Sequence, residues 1–96
     1  MTTILHVEHA VGSFEAWKRA FDSDPVGRKR SGVRLYRVLR ATEDPNYVMI
    51  DLEFEGSNEA KAFRAVLRKL LDSEEAQELM HNPQLRIVEL VETKEY

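Results

Sequence analysis

Val48, Ile50, Leu52 and Phe54 place an apolar residue at every second position along Tyr47-Val48-Met49-Ile50-Asp51-Leu52-Glu53-Phe54. A strand turns successive side chains to opposite faces. The segment therefore predicts a strand with Val48, Ile50, Leu52 and Phe54 on the core side and Tyr47, Met49, Asp51 and Glu53 on the other. Thr3 to His9 reads as an earlier strand, with Leu5 and Val7 on one face and Ile4, His6 and Glu8 opposite. His9 shares the parity of Leu5 and Val7, which favours a histidine satisfied at the edge of the core over the alternative of a base. Between these strands the period changes. Phe14, Trp17, Ala20 and Phe21 recur at spacings of three and four, the stripe of an amphipathic helix. Ser13 is a suitable cap, and Glu15 sits where the helix dipole favours a negative charge. Asp24-Pro25 ends the helix, and Pro25 to Lys29 is long enough for one further turn.

Val33 to Ala41 predicts a second strand, and the turn-rich run Thr42-Glu43-Asp44-Pro45-Asn46 joins it to Tyr47 as a hairpin. Gly56-Ser57-Asn58-Glu59 opens a second helix whose Ala60, Phe63, Val66, Leu67 and Leu70 oppose Lys61, Arg64, Arg68 and Lys69. Ser73 caps a short helix over Glu74 to Met80, stopped by Asn82-Pro83. Gln84 to Glu92 is the last strand, with Leu85, Ile87 and Val91 toward the helices and Arg86, Val88 and Leu90 away from them. The order β-α-β-β-α-β predicts one α+β domain over residues 1–96, a ferredoxin-like sandwich with helices on one face of a four-stranded antiparallel sheet.

On the second strand, Val33, Leu35 and Leu39 are the more apolar set, which places Arg34, Tyr36, Val38 and Arg40 on the open face and leaves Arg37 to snorkel out from the helix side. A hairpin closing between Ala41 and Asn46 then pairs Arg40 with Tyr47, Val38 with Met49, Tyr36 with Asp51, and Arg34 with Glu53. A slip of one residue would reverse every face of that strand. In the usual strand order of this topology the first strand lies beside the third, which brings His6 and Glu8 next to Asp51 and Glu53. The open face thus mixes Ile4, Val38, Met49, Val88 and Leu90 with ionisable groups. A face washed only by solvent has no need of that many apolar residues, so a second copy packing sheet to sheet is the expected cover.

Composition narrows the chemistry. The chain has 96 residues, 43% apolar and 32% charged, with 14 basic against 17 acidic residues and a net charge of −3. Without a concentrated positive surface, nucleic acid is a poor partner. There is no cysteine, which removes disulfides, thiol nucleophiles and iron–sulfur ligation. No apolar run of roughly 18 residues predicts a membrane span, and no basic-then-apolar leader opens the chain. A cytoplasmic location is the default expectation. Gly12, Gly27, Gly32 and Gly56 are isolated, so no glycine-rich loop supports a nucleotide or flavin cofactor. Neither His6 with His9 nor the acidic residues around them has the spacing of a metal site; no cofactor and no metal are expected.

His6 with Asp51 is the leading constellation: a carboxylate orienting an imidazole gives a base that exchanges protons near neutrality. Tyr36 completes the catalytic candidates by bonding a substrate oxygen, while Glu8, Arg34, Met49 and Glu53 are candidates for binding substrate. The competing reading makes the same groups salt bridges and filling of a dimer interface. Trp17 belongs to the core stripe, His81 is either a pocket gate or a surface-loop histidine, and Arg28-Lys29-Arg30 is read as solvated surface.

The segments His6-Val7-Glu8-His9, Phe14-Glu15-Ala16-Trp17, Phe21-Asp22-Ser23-Asp24-Pro25 and Tyr47 to Glu53 give the chain a resemblance to small dimeric α/β-barrel proteins, specifically the antibiotic biosynthesis monooxygenase-like group. The resemblance covers nearly the whole chain in pattern and size. It implies a homodimer whose two sheets form a barrel, with a pocket between sheet and helices or inside the barrel. It also implies an activity on quinol-like or polyketide-like aromatic molecules with O2 and no cofactor, the alternative being a non-catalytic small-molecule-binding or accessory homodimer. The haem-degrading branch of such proteins uses a first-strand asparagine and a second-helix tryptophan. This chain has neither, so haem degradation is not expected.

Overall fold

The structure, a computed structural model, describes residues 2–96. Its elements run β1 (Thr3–Ala10), α1 (Phe14–Asp22), β2 (Leu35–Arg40), β3 (Tyr47–Phe54), α2 (Ser57–Leu71), α3 (Glu74–Leu79) and β4 (His81–Glu89). The strands form one antiparallel sheet in the order β2-β3-β1-β4. With the helices on one face, this is the expected ferredoxin-like sandwich.

The two alternating segments occupy the sheet centre. Leu5 and Val7 of β1 and Val48, Ile50, Leu52 and Phe54 of β3 are buried beneath the helices with Trp17, Ala60 and Phe63. Helix α1 starts where Ser13 Oγ accepts the Ala16 N–H at 3.2 Å, and an exposed Lys18–Asp22 pair at 2.7 Å spans one turn of it. Its apolar stripe becomes a row of rings: Phe14 to Trp17 at 5.9 Å, and Trp17 to Phe21 at 5.2 Å. Ser73 likewise caps α3. The segment from α1 to β2 is a series of turns through Asp24 (φ 52°), Gly27 (φ 77°) and Gly32 (φ 98°). A glycine tolerates this left-handed backbone; a Cβ at Gly27 would also meet the Arg30 guanidinium at 2.6 Å.

β2 and β4 depart most from expectation. β2 is shorter, and its register on β3 is one residue away from the predicted one: Tyr36 opposes Leu52, Arg37 opposes Asp51, Val38 opposes Ile50 and Leu39 opposes Met49. The turn decides this. Ala41 N–H donates to the Tyr47 carbonyl, Tyr47 N–H donates to the Asp44 carbonyl, and Asp44 Oδ1 accepts the Asn46 N–H. This closes a five-residue loop, where the expected pairing needs six, and loop length sets hairpin register. Every face of β2 is consequently reversed. Leu35, Arg37 and Leu39 lie on the open face; Tyr36, Val38 and Arg40 lie on the helix side, where Arg40 stacks over Phe14 at 4.6 Å.

The last strand begins at His81, ahead of the expected Gln84. Ala10 pairs with His81 and Glu8 with Gln84, so Asn82 and Pro83 together oppose His9 in a β-bulge. Asn82 takes φ 53° there, and the edge position of β4 spares the ladder the N–H that proline lacks.

Candidate functional site

Two groups of ionisable side chains stand on opposite sides of the sheet. On the open face, β1 and β3 place His6 directly opposite Asp51. His6 Nδ1 lies 2.6 Å from Asp51 Oδ1, and His6 Nε2 lies 3.1 Å from Glu8 Oε1. Ionised carboxylates only accept, so both contacts are satisfied together when both ring nitrogens carry protons. The other Glu8 oxygen accepts the Tyr47 hydroxyl at 2.5 Å. Partial burial pulls the His6 pKa down, but the hydrogen bonds to Asp51 and then Glu8 outweigh it, and the net direction is upward. The Tyr47 hydroxyl, followed by His6, holds Glu8 below its ordinary value. Donating that bond favours the neutral phenol and raises Tyr47. The cluster is a partly buried imidazole held between two carboxylates, an arrangement that favours its protonated form.

The other candidates are divided by the register of β2. Met49 sits on the open face between Glu8 and Leu39. Glu53 is there too, paired at 2.7 Å with Arg37, a residue expected under the helices. Arg34 is exposed, and its guanidinium donates to Thr2 Oγ1 at 3.1 Å; only its backbone N–H reaches Glu53. Tyr36 does not join His6 and Asp51, because its ring lies across the sheet, edge-on to Phe21 at 5.0 Å. Arg28 completes that contact, its guanidinium 4.0 Å from the Phe21 centroid and 4.8 Å from that of Tyr36, while donating to the Phe21 carbonyl. A residue read as solvated surface is thus half-buried in an aromatic slot, where its flat cation matches the rings.

Beneath the helices lies a cavity of about 270 Å3. Its walls come from α1 (Trp17, Phe21), the sheet (Val7, Ile50, Leu52), α2 (Phe63, Leu67) and the α3 end (Ala76, Leu79, Met80), with Arg28 and Asp24 at one side and His9 in the β1 wall. His9 is 1% exposed. Its Nδ1–H donates to the Ala10 carbonyl at 3.3 Å, which assigns the tautomer, since a carbonyl only accepts. Among the described residues Nε2 has no hydrogen-bond partner. Burial pushes the His9 pKa down; the Ala10 carbonyl opposes this and His81 adds to it. The signal for this residue was already in the chain, as a titratable side chain at a core-facing strand position. What the pattern lacked was any sign of a void around it. Among the described residues no group of three or more acidic, histidine or cysteine side chains is arranged to hold a metal ion. No helix among them is long and apolar enough to cross a membrane.

The comparisons that match are structural. The chain superposes on SnoaB, described as a cofactor-independent oxygenase from Streptomyces nogalater, with a TM-score of 0.73 at 13% identity, covering 96% of this chain and 94% of that one. A candidate antibiotic biosynthesis monooxygenase from Nitrosomonas europaea gives 0.68 at 16% identity, over 91% and 88% of the two chains. A dimeric ferredoxin-like protein from an uncultured marine organism gives 0.67 at 7% identity, over 96% and 93%. The fold is that of the antibiotic biosynthesis monooxygenase-like structures. At these identities the likeness carries the architecture and not the chemistry. No family model matches the sequence, and no curated protein matches it at a significant level.

Proposed function

We propose that the protein is a homodimeric, cofactor-independent monooxygenase that takes a planar quinol-like or polyketide-like aromatic molecule into the cavity between sheet and helices. The observation that carries this reading is the cavity itself: a half-open, mainly apolar space of about 270 Å3 walled by Trp17, Phe21 and Phe63. It is near the lower end of ligand pockets, roughly 300–1,000 Å3, and its shape and chemistry suit a flat molecule of two or three rings. The fold it shares with SnoaB supports the reaction class. The dimeric ferredoxin-like neighbours support a homodimer, as do Leu35, Leu39, Val88 and Leu90, all about 40% exposed.

In this reading dioxygen is the oxidant. An activated ring CH2 loses a proton, the anion passes an electron to O2, the two radicals combine, and the peroxide collapses. The net change is CH2 + O2 giving C=O + H2O. His6, Asp51, Glu8, Met49 and Glu53 then belong to the face between the two sheets, where the imidazolium balances its carboxylates. Arg28 borders the cavity, and Tyr36 packs against Phe21 and Arg28 on the same side of the sheet.

Oxygen uptake with 1,8-dihydroxy-9-anthrone as the probe tests the reading. Uptake matched by the corresponding anthraquinone, and unchanged by a chelator, is the expected result. Binding of the probe without uptake would favour the alternative, a small-molecule-binding or accessory homodimer.

A further inference from the structure

One row of ionisable side chains crosses the open face through all four strands. Arg37 of β2 opposes Asp51 of β3, Asp51 opposes His6 of β1, and His6 opposes Arg86 of β4. The rows beside it carry Leu39 and Met49 on one side and Leu35, Ile4 and Val88 on the other. Each flanking row also holds one glutamate, and both reach into the ionic row: Glu8 to His6 at 3.1 Å, and Glu53 to Arg37 at 2.7 Å. The middle of the sheet thus turns three carboxylates, Glu8, Asp51 and Glu53, to this face against two guanidiniums, Arg37 and Arg86. A protonated His6 supplies the third cation. On the single chain the cluster is partly exposed, and solvent screens an imbalance there. Under a second sheet that solvent is lost, and an uncompensated charge is costly. A two-fold contact presents the same patch twice, so it doubles any surplus. With both His6 rings neutral, two such faces would meet with a surplus carboxylate each; with both protonated, each face is balanced and its apolar flanks can pack.

We infer that two copies of the chain meet sheet to sheet with the His6 of each protonated, so that dimerisation takes up protons and weakens as pH rises. This rests on the homodimer reading above and adds the proton to it. Partial burial lowers the His6 pKa, but the bonds to Asp51 and Glu8 carry it above 6.5 in the single chain. Removing water from around those carboxylates tightens their hold on the proton in the dimer, because charges interact more strongly at lower dielectric. Arg86 stands beside the ring as a like charge, and both it and the Tyr47 hydroxyl favour the ionised form of Glu8. Arg37 and Glu53 satisfy each other at the β2 end of the row. Well below the pKa of the separated chain, both states hold the proton and association is independent of pH. Above it the separated chain sheds the proton that the dimer keeps, and dissociation is favoured by up to one proton per chain. His81, opposite Ala10 at the strand ends, is the other histidine near this sheet surface, and any contribution from it would survive replacement of His6.

Sedimentation equilibrium across pH tests this on the wild type, His6→Gln and Asp51→Asn. The wild-type dissociation constant should rise by about tenfold or more between about pH 6.5 and about pH 8.5. His6→Gln leaves the surplus carboxylate at every pH, so its constant should be flat and close to the wild-type alkaline value. Asp51→Asn balances the face with a neutral ring, so its dimer should no longer weaken as pH rises. A wild-type constant that does not change with pH, or the same rise in His6→Gln, overturns the inference and leaves the homodimer standing. A protein that is monomeric at every pH overturns the homodimer reading and the inference together. Calorimetric dilution of the wild type decides the matter even if neither variant folds. Run in two buffers of unlike ionisation enthalpy at mildly alkaline pH, it counts the protons released as the dimer separates. Release of protons is the expected result, and dissociation without release overturns the inference.

Discussion

His6 Nδ1 and Asp51 Oδ1 lie 2.6 Å apart across a directly opposed β1–β3 pair. A contact fixed by strand register needs little side-chain ordering, and with the imidazole charged it ranks among the stronger hydrogen bonds of proteins. Its strength follows pH.

Because the folded pKa of His6 is raised above the ordinary 6.5, its stabilisation is complete below that value and fades as pH rises through the folded pKa. His6→Gln should therefore cost more stability in mild acid than in mild base, by about 1 kcal/mol between the two conditions for a half-exposed pair. Urea denaturation at several pH values measures this. His9 has the opposite sign. Its pKa is depressed, so its contribution is intact above 6.5 and declines as pH falls toward the folded value.

Asp51 and Glu8 should be unequal in holding the His6 proton. The Asp51 contact is shorter, 2.6 against 3.1 Å, and is the larger of the two upward influences. Asp51→Asn should lower the His6 pKa more than Glu8→Gln does, as read by NMR titration of the ring. A reversed order would show that the Glu8 contact dominates.

Tyr36→Ala removes the edge-on contact with Phe21 and one wall of the Arg28 slot. A loss of about 1–2 kcal/mol in folding stability is expected, from the aromatic pair plus the cation–π contact. Tyr36→Phe keeps both rings and should be nearly neutral, so a large cost for the phenylalanine variant would point to a role for the hydroxyl.

Leu39 lies on the open face opposite Met49 and is 43% exposed. Leu39→Lys should leave the fold intact and weaken dimerisation by about tenfold or more, since it places a charge in an interface core. Sedimentation measures this, with circular dichroism as the control. An unchanged association constant would move the dimer contact off this face.

Ala76 closes one end of the cavity from α3 and is 6% exposed. Ala76→Leu should fill part of that space, reduce probe binding by at least about tenfold, and change stability by less than the roughly 1–3 kcal/mol typical of overpacking, because the void accepts the added atoms. A cost at the upper end with binding intact would put the ligand elsewhere.

Much of this molecule was legible in the chain. The apolar residues at every second position, Leu5 and Val7 in β1 and Val48, Ile50, Leu52 and Phe54 in β3, assigned the faces of both strands, because burying one such series per strand favours a single phase. The element order then implied the strand order, and with it the meeting of His6 and Asp51. The capping serines at 13 and 73 stand where their helices begin. The register of β2 was not legible. Its apolar residues, Leu35, Val38 and Leu39, fall on both parities, so burial gave no strong preference between phases and the turn around Asp44 decided. That one-residue difference sent Tyr36 to Phe21 and Arg28, and Arg37 to Glu53. His9 shows the same limit from the other side. The sequence determined which way its ring points, since parity is a local property of a strand. Only the tertiary structure decided what it meets, because a cavity is the space that α1, α2, α3 and the sheet fail to fill together, and no single segment encodes it.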